Sequence, residues 1–429
     1  MAEPYPIRPI NDDEFAAFHA VDEQAFHGER PSPQRKRDMI DRFEFDRSLA
    51  AFDEGEPVGI AGAWSFQLSV PGAQIPAAGV SWVSVLPTHR RRGILSSIMR
   101  RQLTDIHERG EPLAILWASE AAIYGRYGYG QASWHASFTV HRGEGALRAD
   151  VPADPGLRLR LTEPGMARPE LGKVYEAVLP TRPGMFARNE AWWNRVLDDP
   201  EDSRKGDSPL RCLLAEDDAG PRGYALYAAK SQWDDESFLP QSTLSVREMM
   251  AADPAATALI WADLLSRDLT TTMKVGQRPA DDPLLYMLAD SRRSRPRITD
   301  GLWARIIDVG PALTRRRYAA PVDLVLDITD QTCPWNQGRW RLTAPAGAAG
   351  GPAAGGTAAI GGLAGSCERT TDPADVSLSA ESLGAAYLGG TKLGALAGAG
   401  LAAEARPGAI AVLSAALSWD PAPWCPMIF

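Results

Sequence analysis

The chain is poor in the residues from which metal sites and disulfide frameworks are built. Its four cysteines, Cys212, Cys333, Cys367 and Cys425, lie far apart and form no CxxC pair, so neither a zinc knuckle nor a disulfide scaffold is indicated and four buried thiols are expected. Six scattered histidines (His19, His27, His89, His107, His135, His141) show no HExxH or paired spacing, so no metal is expected. Positive charge is also in short supply. Lys and Arg number 45 against 54 Asp and Glu, a net charge of −9, which speaks against nucleic acid or an anionic membrane as partner and favours a cationic ligand. Long apolar runs are absent apart from weakly hydrophobic Gly/Ala-rich segments, so no membrane span is expected. The start MAEPYPIRPINDDEF has neither the basic nor the apolar region of a signal peptide, and the cytoplasm is the expected location.

What is present suffices for folding. With 429 residues, 45% of them hydrophobic and 23% charged, the chain reads as a soluble globular protein of roughly three domains. Residues 5–10 read as a strand, and Asn11 with Glu14 forms a capping box that opens a helix through about Phe26. Residues 48–53 and 57–70 read as strands joined by a turn at Glu54–Glu56. Gly79–Leu86 (GVSWVSVL) is an uncharged β-branched and aromatic run, expected to be a strand buried on both faces and stopped by Pro87. Ile94–Arg109 has apolar residues at helical spacing, and Leu113–Trp117 is the next strand. A loop-like stretch at 143–156 places a boundary near 150, and a new segment starts near Asp300. Between them, the stretch Gly184–Pro200 is expected to carry Trp192 and Trp193 on a helix, followed by a strand at Tyr224–Ala228 and a helix at Ala255–Leu269. Later, Val322–Ile328 reads as a strand, 344–366 as a flexible Gly/Ala/Pro loop, and Ser377–Leu388 and Lys392–Leu401 as helices.

Three segments carry chemistry. In Val83-Ser84-Val85-Leu86-Pro87-Thr88-His89-Arg90-Arg91-Arg92-Gly93-Ile94 a buried strand enters a cationic turn that opens a helix. Backbone N–H groups at a helix start, a partial positive dipole and neighbouring arginines together suit a polyphosphate. Strand, basic turn, helix and strand make a βαβ unit, in which ligands sit at the strand's carboxyl end. The second segment, Ala118-Ser119-Glu120-Ala121-Ala122-Ile123-Tyr124-Gly125-Arg126-Tyr127-Gly128-Tyr129-Gly130, interleaves three tyrosines with three glycines, which suggests either backbone bent close to a ligand or a turn whose tyrosines pack in the core. The third is the apolar ending Trp424-Cys425-Pro426-Met427-Ile428-Phe429. Chain ends are usually polar and frayed, so this one is expected to be docked, either burying its carboxylate beside a compensating partner or packing Phe429 on the core while the carboxylate reaches water.

VSVLPTHRRRGI resembles the acetyl-coenzyme A signature of GCN5-related N-acetyltransferases (GNAT), Q/R-x-x-G-x-G/A, with Leu95 in place of the final Gly/Ala. ASE-x-x-IYGR-x-GYG after PTHRRRG is similar to the Eis (enhanced intracellular survival) family within that superfamily. The resemblance spans the chain, with its specificity concentrated in residues 80–130. It implies an α+β architecture: a GNAT catalytic domain over 1–150, a second GNAT-like domain without a cofactor site over 151–300, and a sterol-carrier-protein-like domain over 301–429. It further implies that acetyl-CoA is the acetyl donor, with Val83 and Val85 presenting backbone groups to the pantetheine arm. Arg90, Arg91, Gly93 and Ile94 would hold the pyrophosphate, and Ser119 and Ile123 would flank the donor. Tyr124 would be the general acid for the departing thiolate, and the carboxylate of Phe429 the general base for the amine. Phe26, Glu29, Trp82, Trp117 and Ile428 would line the substrate pocket, Ile428 standing where the family often has an acidic residue. The implied acceptors are polyamines such as aminoglycosides, and the implied assembly is a hexamer. Two alternatives stand beside this: a protein lysine acetyltransferase, and a non-catalytic ligand carrier or sensor.

Overall fold

Residues Glu56–Val70 (β1) and Ala73–Val85 (β2) are two long strands that pair antiparallel from Val70↔Ala73 to Gly59↔Val85, turning at Pro71-Gly72. The computed structural model to which they belong describes residues 5–28, 31–347 and 361–429. The predicted pocket residue Glu29 and most of the predicted 344–366 loop lie outside the described residues. The chain forms two compact units, one of Met1–Ser133, Gly301–Asp420 and Ile428–Phe429, the other of Trp134–Asp300 and Pro421–Met427.

In the first unit, a seven-stranded sheet runs in the order Ile7–Pro9, Leu49–Asp53, β1, β2, Leu113–Trp117 (β3), Leu302–Ile306 (β4) and Gly130–Gln131. β4 comes from far along the chain, yet it pairs antiparallel with β3 from Leu302↔Trp117 to Ile306↔Leu113. That ladder is why residues after 300 share a unit with the first 133. A helix at Phe15–Phe26 (α1) starts where expected: Glu14 accepts from the Asn11 N–H at 2.9 Å and is held by Arg8 at 2.6 Å. It buries Phe15, Phe18 and Val21. The helix Ile94–Glu108 (α2) buries Ile94, Ile98, Met99, Leu103 and Ile106, the stripe its spacing predicts. Each such side chain stabilises the fold by about 1.5–3 kcal/mol through removal from water.

The same unit holds a second, five-stranded sheet ordered Ser366–Arg369, Gly338–Ala344, Val322–Thr329, Val376–Ser379 and Ala402–Glu404. The predicted helix at Ser377–Leu388 therefore begins as strand, through Ser379, and is helix only from Ala380. Val376 and Leu378 are buried and Ser377 is exposed, the period of two that a strand requires. Ser379 then caps the helix Ala380–Tyr387 (α3) by accepting from the Ser382 N–H at 3.1 Å.

The second unit is a seven-stranded sheet ordered Arg297–Asp300, Trp134–His141, Thr270–Pro279, Ser242–Ala251, Gly220–Lys230, Arg211–Asp217 and Arg158–Thr162. The helix expected to carry Trp192 and Trp193 within 184–200 is Glu190–Leu197, and Asn189 caps it, accepting from the Trp192 N–H at 3.0 Å. Part of the apolar ending belongs here: Trp424 and Cys425 are buried, and the Trp424 indole donates to the Gln277 carbonyl at 2.6 Å. None of the four cysteines forms a disulfide, and all four are buried. Among the described residues no helix is long and apolar enough to cross a membrane.

Candidate active site

The site begins with a parallel ladder that stops early. β2 and β3 pair only over Ala77–Gly79 and Leu113–Ile115. Beyond that, β2 continues to Val85 and β3 to Trp117 without pairing to each other, β4 lining the other edge of β3 along its whole length, so the two strands part. A bulge sharpens the parting. Trp82 stands at φ 59°, and the register against β1 shifts there, between Ile60 and Gly62. The stretch 80–85 thus keeps one edge without β3 beside it, a place where an amide-bearing chain can bind in strand fashion.

The basic turn follows. Arg91 has φ 62° and Gly93 φ 83°, so the backbone turns back on itself before α2 begins, and Gly93 is the residue that takes this conformation without a Cβ penalty. The first-turn N–H groups of α2 have no partners within the helix and face the turn. Arg90 and Arg91 are exposed, whereas Arg92 donates to the Tyr5 hydroxyl at 3.0 Å. Exposed guanidinium groups over open helix amides and a parted strand pair fit the pyrophosphate and pantetheine of an acyl-coenzyme A.

Across from this turn, the segment after β3 forms two short turns of helix, Ala121–Tyr124 and Gly125–Tyr127. Tyr124 is buried in one cluster with Val80, Leu116, Tyr127 and Tyr129, against which Val83, Leu95 and Ile123 pack. Burial raises the Tyr124 phenol above its usual range, and a hydrogen bond with Ser119 partly offsets this. The segment is tied to α2 by the Tyr127 hydroxyl, 3.1 Å from Ser96 Oγ. Thus Val83, Ile123, Ser119 and Tyr124 are brought together, while Val85 and Ile94 share the neighbouring cluster with Ile98 and Val58.

Phe429 lies against the two long strands. Its main-chain oxygen accepts from Ser81 Oγ at 3.0 Å, and its ring meets Phe66 edge-on at 5.0 Å. Trp82, next to Ser81, packs among Phe18, His19 and Phe43. Trp117 ends β3 and is half-buried, whereas Phe26 and Ile428 are exposed. Ser81, Ser96 and Tyr127 escape sequence reading as a group. Ser81 sits inside the GVSWVSVL run, but nothing local pairs it with a residue 348 positions away.

Residues 6–132 and 184–306 each match a model of an acetyltransferase (GNAT) domain, and residues 309–426 match a sterol carrier protein domain. An uncharacterized N-acetyltransferase of Streptomyces avermitilis is 41% identical over 98% of both chains. The N-acetyltransferase Eis of Mycobacterium tuberculosis is 33% identical over 80% of this chain and 79% of its own. The crystal structure of Eis1 from Mycobacterium abscessus superposes with a TM-score of 0.80 at 30% identity, covering 99% of this chain and all of that one.

Proposed function

Because the chain belongs to the Eis family of GCN5-related N-acetyltransferases and takes its acetyl group from acetyl-CoA, we propose that its acceptor is an amine of a polycationic small molecule, aminoglycosides included. The amine attacks the thioester directly in a ternary complex. Val83 and Val85 carry the pantetheine arm on backbone groups, Arg90, Arg91, Gly93 and Ile94 hold the pyrophosphate, and Ser119 and Ile123 flank the donor. Phe26, Trp82, Trp117 and Ile428 border the acceptor. The net charge of −9 favours approach of a cation.

The substrate ammonium must first lose a proton. The carboxylate of Phe429 takes it, and since an α-carboxylate titrates ordinarily near about 3.5, it works through desolvation or a relaying water. Attack forms a C–N bond and a tetrahedral centre, whose collapse breaks the C–S bond. Tyr124 then gives its phenolic proton to the departing thiolate, and the proton left on the acetylated nitrogen passes to water, from which the tyrosinate is reprotonated.

The observation that carries this reading is Tyr124 itself. It is a phenol buried in the cluster against which Val83 packs, hydrogen-bonded to Ser119 and kept protonated by its surroundings, in the segment that follows β3, where the ladder with β2 has opened. Tyr124→Phe should lower kcat by about 10²–10⁴, the usual worth of a general acid, with coenzyme A binding kept. Adding one residue after Phe429 should likewise lower turnover. Thiol release measured with kanamycin-like compounds, lysine peptides and arylamines identifies the acceptor. Wild-type rates in both variants would end the mechanism, and turnover with peptides alone would end the substrate reading.

A further inference from the structure

The three glycines of the segment 124–130 suggest, from sequence, a backbone approached by a ligand. The structure puts protein against them instead. A Cβ on Gly130 would lie 2.0 Å from the Glu381 carbonyl oxygen and 2.4 Å from the Ala385 amide nitrogen, both in the backbone of α3. A Cβ on Gly125 would lie 2.8 Å from Glu381 Oε1, and one on Gly128 would lie 2.8 Å from Arg305 Cζ and 2.9 Å from its Nε. The segment that holds Tyr124 is therefore seated on β4 and α3.

Arg305 is the centre of this seat. It belongs to β4, is fully buried, and donates to Asp330 Oδ1 at 2.7 Å and to the Ile306 carbonyl at 2.9 Å. Asp330 is fixed in turn. Its carboxylate accepts from the Thr332 N–H at 3.2 Å, the Cys333 N–H at 2.9 Å and Asn336 Nδ2 at 3.0 Å, and its own N–H donates to Gln337 Oε1 at 2.8 Å. A buried ion pair often adds little net stability over an apolar replacement, but it does define position. The position defined here is that of the turn beside the acid. Gly128, at φ 82°, lies against the guanidinium, and fully buried Tyr129 follows it. Tyr129 meets Tyr124 edge-on at 6.1 Å and donates its N–H to the Tyr124 carbonyl at 3.3 Å. A chain of contacts thus runs from Asp330 through Arg305, Gly128 and Tyr129 to Tyr124.

The geometry points to Arg305 as a positioning residue for the proton transfer: clamped by Asp330, its planar fork fixes the Gly128-Tyr129 turn and so sets where the Tyr124 hydroxyl stands. This rests on the reading of Tyr124 as the general acid. Lysine keeps the charge but loses the fork. Arg305→Lys should therefore lower kcat by about 10- to 100-fold, the scale of a displacement near 1 Å, and leave KM for acetyl-CoA unchanged.

A double-mutant cycle with Tyr124→Phe tests it. The expected result is that Arg305→Lys has its full effect in the wild-type background and none beyond that of Tyr124→Phe in the second. Equal losses in both backgrounds would overturn the inference while leaving the role of Tyr124 intact, as would an unchanged kcat in Arg305→Lys. Wild-type turnover in Tyr124→Phe alone would remove the reading beneath it. If Arg305→Lys does not fold, Gly128→Ala takes its place in the cycle, since there the guanidinium stays and the turn is pushed from it. The same dependence on Tyr124 is expected, and an independent loss would refute the coupling.

Discussion

Gly130→Ala is a severe test of how the tyrosine segment is seated. The new Cβ would stand 2.0 Å from the carbonyl oxygen of Glu381 and 2.4 Å from the amide nitrogen of Ala385. Both belong to the backbone of α3, whose Leu383, Ala386 and Tyr387 are fully buried, so the helix has nowhere to retreat. The segment must give way instead, by about 1.5 Å if ordinary contact at about 3.5 Å is to be restored, and overpacking of this kind costs about 1–3 kcal/mol. For a unit of this size a loss of about 2 kcal/mol lowers the melting temperature by about 4–8 °C. A displacement near 1 Å at the proton donor should also reduce kcat by about 100-fold. Gly125→Ala makes the matched control. Its Cβ would meet Glu381 Oε1 at 2.8 Å, the end of a flexible, half-buried side chain that can swing aside, and its melting temperature should stay close to wild type. The assays are a thermal melt and thiol release at saturating acetyl-CoA. If Gly130→Ala melts and turns over like wild type, or if Gly125→Ala is the more damaging, the close approach of segment and helix is refuted.

Three further outcomes follow from the same geometry. Ser81→Ala removes the 3.0 Å hydrogen bond to Phe429, worth about 1 kcal/mol, so kcat should fall about fivefold with KM for acetyl-CoA unchanged; steady-state kinetics with one amine decides it. Arg91→Ala should raise KM for acetyl-CoA about tenfold, less so at high salt where the charge is already screened, and an unchanged KM would remove Arg91 from pyrophosphate binding. The third concerns pH. The Tyr124 phenol is raised in the folded chain, so the neutral form is favoured, and its contribution to stability and acid catalysis is complete below the ordinary value of about 10 and is lost only as pH rises through the higher folded value. The ratio of kcat in wild type to kcat in Tyr124→Phe should hence stay constant from about pH 7 to 10, and a ratio falling within that window would contradict the burial of the phenol.

The parts of this site that local sequence reports are those made by local forces. The run Gly79–Leu86 is strand because β-branched and aromatic residues succeed one another, and α2 is helix because Ile94, Ile98, Met99, Leu103 and Ile106 recur at its period. The capping pair Asn11 and Glu14 opens α1 as its spacing implies. The helix expected from Ser377 was started too early. Ser379 is a cap inside a stretch of favourable composition, and a cap depends on which N–H lies within reach, which composition does not record. The same holds for the glycines at 125, 128 and 130: their number in the sequence marks a close approach without saying to what.

By itself the sequence determined the strand, basic turn, helix and strand that can hold an acyl-coenzyme A, the tyrosine at the end of β3, and an ending apolar enough to be buried. All of these rest on contacts between residues a few positions apart, where side-chain period and turn chemistry decide the outcome. Only the tertiary structure decided that β4 enters the first sheet beside β3, that Ser81 binds Phe429, and that Arg305 and α3 support Tyr124 from behind. Those pairings close loops of more than a hundred residues, and a strand edge carries no mark of its partner beyond an unfilled row of hydrogen bonds. Which edge fills it is settled when buried surfaces and polar groups are satisfied together, across the whole unit at once.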